Sequence, residues 1–145
     1  MKTRFAALAF AAATLMASSP SLAGEVEITL ENVRPSAGKL FIGLQAEDQF
    51  MTDVRSIGRL IENPQEDTLT IVIPDVPDGR YALTVWHDID GDGRFSKGPQ
   101  GPTDGWTMIG ALQLRGMPTF EAQSFTVSGE RTAITETMLY GPSQR

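Results

Sequence analysis

The segment Val76-Pro77-Asp78-Gly79 interrupts two runs of β-forming residues, and it constrains the fold more than any other stretch of the chain. Proline fixes φ at about −65° and glycine takes a left-handed conformation without steric cost, so the backbone must turn here. On the C-terminal side, Arg80 to His87 is rich in β-branched and aromatic residues, and an extended chain places Tyr81, Leu83 and Val85 on one face. On the N-terminal side, Thr68 to Ile73 is a compact apolar strand candidate. The two runs predict a hairpin that delivers Asp88 at a strand end.

Asp88 opens the sequence D-I-D-G-D-G-R-F, with carboxylates at alternate positions and a glycine directly after the third. Ca²⁺ is a hard cation that takes roughly six to eight oxygens at about 2.3 to 2.6 Å, and a loop can wrap its first, third and fifth side chains around one ion. Those positions are Asp88, Asp90 and Asp92. Gly93 suits the sharp turn at the sixth position, Arg94 would contribute its backbone carbonyl at the seventh, and Ser96 stands at the ninth. The twelfth position holds Pro99 where an EF-hand carries a bidentate glutamate, so another acid must close the shell. Asp104 is the first choice, because Gly98-Pro99-Gln100-Gly101-Pro102 can bend it back toward the loop; Glu121 is the second. Asp-Gly pairs also make ordinary tight turns, but three alternating acids in one loop repel each other unless solvent or a cation screens them. The expected metal ligands are Asp88, Asp90, Asp92, the Arg94 carbonyl, Ser96 and Asp104, and the expected ion is Ca²⁺.

These segments together carry a resemblance. Pro77, Gly79-Arg80-Tyr81-Ala82, His87-Asp88, the D-x-D-G-D-G loop, Gly101-Pro102-Thr103-Asp104-Gly105-Trp106 and Pro118-Thr119-Phe120 with Ala122 and Phe125 resemble the domain of unknown function 2141 family of secreted bacterial proteins. The resemblance spans most of the chain after residue 23. It implies that Asp104 lies where the family carries a glutamate. The chain departs from the family at Ser96, where an acid is usual, and at Gly105 to Gly110, which replaces a Gly-aromatic-Gly-Phe-Ser run. The resemblance implies a location and a fold, and no reaction.

Met1 to Ala23 carries Lys2 and Arg4, an apolar Ala/Leu/Phe stretch and the small-x-small end Ser21-Leu22-Ala23, which reads as a signal peptide. The run is short for a membrane span, which needs roughly 20 apolar residues. The expected mature chain is a single domain, 24–145, in the periplasm or outside the cell. The sequence has 12 basic and 18 acidic residues; losing Lys2 and Arg4 leaves 10 against 18, a net charge of −8. That balance disfavours nucleic acid and anionic membranes as partners and suits a cation or a basic partner. The absence of cysteine excludes disulfides, thiol chemistry and cysteine-ligated metal.

Alternation elsewhere extends the all-β reading. Strands are expected at Val26 to Leu30, Lys39 to Gln45, Thr107 to Leu112, Gln123 to Val127 and Thr132 to Leu139, which makes seven with the two above. That count suggests an immunoglobulin-like or transthyretin-like β-sandwich. In Ala46 to Glu66, the apolar residues Phe50, Met51, Val54, Ile57, Leu60 and Ile61 recur near helical spacing, so a short helix or an ordered crossover is expected, its apolar residues covering core or sheet edge.

No enzyme is expected. His87 is the only histidine, and in an extended strand it and Asp88 point to opposite faces, so adjacency makes no catalytic dyad with Ser96 near by. One histidine and no cysteine make a poor zinc site, and the acids that a glycosidase would use sit in a turn that calcium explains. A recognition module for a surface glycan or a protein is the alternative, with Trp86 and Trp106 flanking the loop; Trp86 is expected to fill the core and Trp106 to pack the loop onto it.

Overall fold

A computed structural model of the protein describes residues 23–141. The cleavage reading for Met1 to Ala23 falls, apart from Ala23 itself, outside the described residues, as does the tail after Gly141. The described chain is all-β, with ten strands: β1 Gly24–Glu31, β2 Lys39–Gln45, β3 Ile57–Ile61, β4 Leu69–Val76, β5 Gly79–Asp88, β6 Lys97–Gly98, β7 Gly101–Pro102, β8 Gly105–Met108, β9 Ser124–Val127 and β10 Arg131–Thr137. A four-residue helix, α1 Phe120–Gln123, and two 3₁₀ turns, Glu47–Gln49 and Ala111–Gln113, complete the secondary structure.

Two sheets carry the fold. One has the order β10-β1-β4, with β1 parallel to β10 and antiparallel to β4. The other runs β3-β2-β5-β8, and β9 continues the line of β8 by pairing with the first half of β5. Period-two alternation decides what lies between them. Val26, Ile28 and Leu30 of β1 and Leu40, Ile42 and Leu44 of β2 are fully buried, and they join Ile71, Ile73, Leu83, Val85 and Val127 in one core. Each such side chain contributes about 1.5–3 kcal/mol on leaving water, which is how a chain without disulfides holds two sheets together.

The turn at 77–79 does something other than the expected hairpin. β4 and β5 belong to different sheets, so the chain crosses from one layer to the other at Pro77. Pro74 interrupts the donors of β4, Asp75 adopts φ +56°, and the register slips between Gly24↔Val76 and Val26↔Ile73. Tyr81 then fixes the corner by donating its hydroxyl to the Pro77 carbonyl at 3.0 Å. Turn residues dictate that a chain bends, and side-chain burial dictates which strand it pairs with afterwards.

Two further expectations change. The strand placed at 107–112 ends at Met108, because Gly110 at φ +69° turns the chain into a 3₁₀ turn. Segment 46–66 is no helix beyond Glu47–Gln49; it supplies β3, the edge strand beside β2. Of its apolar residues, Ile57 and Ile61 pack on the core and Phe50 meets Phe120 edge-on, whereas Met51, Val54 and Leu60 are exposed. The three strands beyond the expected seven are β3 and the two-residue pair β6 and β7.

Candidate functional site

β5 is the central strand of its sheet, and its last residue places Asp88 where the sheet gives way to the acidic loop. The turn before β2 comes so close that a Cβ on Gly38, at φ +130°, would overlap the Asp88 carbonyl oxygen. Only glycine fits there. The start of the loop is therefore set in part by Gly38, a residue far from the acids in the sequence.

Beyond Asp88 the chain winds around carboxylates. Asp88 accepts from the Gly91 N–H at 2.9 Å and the Gly93 N–H at 3.0 Å, one on each oxygen. Gly91 and Gly93 have φ of +75° and +73°, the left-handed turns that let those amides point inward. Asp90 accepts from the Asp92 N–H at 3.2 Å, and Asp92 from the Arg94 N–H at 2.8 Å. The β6–β7 hairpin then reverses the chain, held by the Thr103 N–H on the Ser96 carbonyl at 3.0 Å, and brings Asp104 back to the loop.

Asp104 is the organising acid. One oxygen accepts from the Ile89 N–H at 3.2 Å; the other accepts from the Ser96 N–H at 2.9 Å and the Trp86 indole N–H at 3.1 Å. Asp88 and Asp104 are both almost wholly buried, at 2% and 1% exposure, while Asp90 is exposed. One oxygen from each of Asp88, Asp90 and Asp104 lies within 4.8 Å of the others. Five N–H donors face the two buried carboxylates, yet a carboxylate offers roughly four acceptor positions, so capacity for a cation remains. An all-oxygen, all-carboxylate donor set suits Ca²⁺ or Mg²⁺ over the softer transition metals.

The other expected ligands are placed differently. Asp92 stands outside the cluster, its second oxygen accepting from the Ser96 hydroxyl at 3.3 Å, and that hydroxyl also reaches the Arg94 carbonyl at 3.5 Å. Glu121 lies on α1, paired with Arg80 at 3.0 Å.

His87 faces away from the acids into the core, where it is fully buried. The Tyr140 hydroxyl accepts from the Arg34 N–H at 3.0 Å and shares a second hydrogen bond with His87 Nδ1 at 2.9 Å, whose direction follows the imidazole tautomer. Burial lowers the imidazole pKa below 6.5, with Arg34 acting the same way, against the opposing pull of the Gly38 backbone, Asp104 and Asp88. Nε2 has no hydrogen-bond partner. Tyr140 gave no signal in the sequence, but Gly105 did something measurable to admit it: a Cβ there would overlap the Tyr140 ring.

Trp86 is not in the core. It lies on the outer face of its sheet, half-buried, stacked on Phe41 with centroids 4.3 Å apart and met edge-on by Phe95. Leu60, Phe41, Trp86 and Trp106 are successive cross-strand partners and form one row across that face.

Residues 28–135 match the family model described as an uncharacterized protein conserved in bacteria, DUF2141. The chain belongs to this family. No curated protein and no solved structure matches it. The matched residues include the corner at Pro77, β5, the acidic loop and Asp104, and end before Tyr140.

Proposed function

We propose that this DUF2141 protein is a secreted or periplasmic, non-enzymatic β-sandwich whose 88–104 loop binds Ca²⁺, the ion ordering the surface around Trp86. The observation that carries the reading is the convergence of Asp88, Asp90 and Asp104 within 4.8 Å, two of them buried and the exposed one at the mouth. Like charges held this close repel, and a divalent cation relieves that repulsion. Asp92 and Ser96 act in this reading as the brace of the loop, or join the ion through water. The two facing sheets and the corner at Tyr81 favour an immunoglobulin-like or transthyretin-like arrangement. The signal-like segment Met1 to Ala23 favours export.

The test is calcium-dependent stability. Extracellular sites commonly have dissociation constants of about 10⁻⁴ to 10⁻³ M. A site of about 2 × 10⁻⁴ M in about 2 mM Ca²⁺ stabilises the fold by about 1.4 kcal/mol, a melting shift of several degrees. Coincident melting curves in EDTA and in calcium, at one ionic strength, reject the proposal.

Recognition of a glycan or protein by Trp86 and Trp106 is the second reading, favoured by their place on the outer face. It ranks lower for glycans because Phe41 already covers one face of the Trp86 ring.

A further inference from the structure

Segment 51–61 differs from the rest of the surface. Met51, Val54 and Leu60 are 51%, 57% and 47% exposed, so three of the large exposed apolar residues lie within ten positions. Between them stand Arg55 and Arg59, and among the described residues neither guanidinium has an ion pair or a hydrogen bond. Lys39, Arg80 and Arg131 are by contrast each held by an acid. The segment ends in β3, which pairs with β2 on one side and with no described strand on the other.

The other described sheet edges each carry a feature that discourages strand addition. β4 carries Pro74 and the irregularity at Asp75. β8 is closed by the bridge from Trp106 to Leu139, and β9 has only four residues. The turn at Ala111–Gln113 lies against β10, with the Gly110 N–H on the Glu136 carboxylate at 2.9 Å. Among the described residues, β3 is the edge strand that carries no proline, bridge or packed turn.

We propose that β3 receives an extended acidic segment of another protein by strand addition. The register states what that segment needs. Leu60 and Gly58 share the outer face, while Arg59, opposite Ile42, has the inward parity yet stays exposed at the edge. An added strand therefore places an acid opposite Arg59 and apolar residues on either side of it, opposite Gly58 and Leu60. The residue opposite Leu60 extends the row that runs through Phe41 to Trp86 and Trp106. The residue opposite Gly58 covers a position with no side chain of its own, where the carbon chain of Arg55 now lies over Gly43 and Gly58. A second copy of this chain is the wrong occupant, because antiparallel self-pairing of β3 centred on Arg59 sets that arginine against its own copy, and like charges opposite one another destabilise a ladder. Of the nearby acids, Glu62 is paired with Lys39 at 3.1 Å and Asp53 stands before β3, so Arg59 is the charge within the strand that selects the partner, and screening over about 8 Å removes the acids farther away.

The probe is a short blocked peptide alternating valine and glutamate, compared with its valine–lysine counterpart, each titrated into the full mature chain. Amide hydrogen exchange read by NMR should slow at 57–61 with the glutamate peptide only. Arg59→Glu should weaken that binding about tenfold and let the lysine peptide bind, since one cross-strand charge pair changes from attraction to repulsion. Both results should be the same in EDTA, because β3 does not depend on the acidic loop. Equal binding of the two peptides, protection on another strand, no protection at all, or a dimer in sedimentation that Arg59→Glu dissolves would each overturn the proposal.

Discussion

Two irregular segments of the protein, 46–56 and 89–104, solve the same problem with different chemistry. Both must satisfy turn amides and carbonyls that no ladder reaches. In 46–56 the partners are neutral. Gln45 Nε2 donates to the Thr52 and Val54 carbonyls at 2.9 and 2.7 Å, and Gln49 Oε1 accepts from the Ala46 N–H and the Ser56 hydroxyl at 3.1 and 2.7 Å. In 89–104 nearly every partner is a carboxylate, from Asp88, Asp90, Asp92 or Asp104. Charge-assisted bonds are the stronger kind, but carboxylates crowded around one turn also repel. The neutral segment should therefore be indifferent to ions and the acidic one should not.

The largest test breaks the acidic segment from outside it. Gly38→Ala forces a Cβ onto the Asp88 carbonyl at a backbone conformation that alanine rarely adopts. A loss of about 3 kcal/mol or more is expected by denaturant titration, together with the calcium response. A variant as stable as the parent would separate Gly38 from the loop.

Next in size is the neutral counterpart. Gln45→Leu leaves two carbonyls, those of Thr52 and Val54, without their donor, and costs about 1–3 kcal/mol. The cost is moderated because Gln45 Oε1 is itself buried without a partner. It should be equal in EDTA and in calcium; a difference between the two would end the contrast between the segments.

Two substitutions within the loop sharpen it further. Asp104→Asn puts an amide group against three N–H donors that a carboxylate accepted, so a loss of about 2 kcal/mol even in EDTA is expected, along with altered Trp86 fluorescence. Asp90→Asn touches only an exposed acid with one local N–H bond, so stability in EDTA should stay within about 0.5 kcal/mol while the calcium-induced melting shift disappears. If Asp90→Asn retained the full shift, the cluster at 88, 90 and 104 would not be the cation site.

How much of this the sequence carried depends on the range of the signal. Alternation at Val26 to Leu30 and at Tyr81 to Val85 is local, and it located β1 and β5 and the core faces correctly. The return of Asp104 to Asp88 was legible because the Gly- and Pro-rich stretch between them allows little else. The failures are those of pairing. Nothing in Thr68 to Ile73 says that it will join β1 and not β5, since both alternatives bury the same side chains. The expectation that Trp86 fills the core fails on its parity, which relative to Leu83 and Val85 places it on the outer face. Gly58, central in a run with helical spacing, argued against the helix there, and Tyr140 approaches His87 from 53 positions away, beyond any local pattern.

The smallest effect compares acids by their donors. Asp104 receives three N–H groups, whereas Glu136 on β10 receives only that of Gly110. Burial pushes the Glu136 carboxyl above its ordinary 4.5, and the Gly110 N–H offsets part of that rise. Its folded pKa therefore exceeds its unfolded one, and between the two the native state holds more protons. Stability from this group is present below about pH 4.5 and is lost as pH rises through the folded value. Glu136→Gln keeps an oxygen for Gly110 and removes the titration. The variant should match or slightly exceed the parent in melting temperature at pH 7, and its advantage should shrink as the pH is lowered toward 4.5. An advantage that grew on acidification would mean that the Gly110 N–H outweighs burial, and that a single donor suffices for a half-buried carboxylate in this fold.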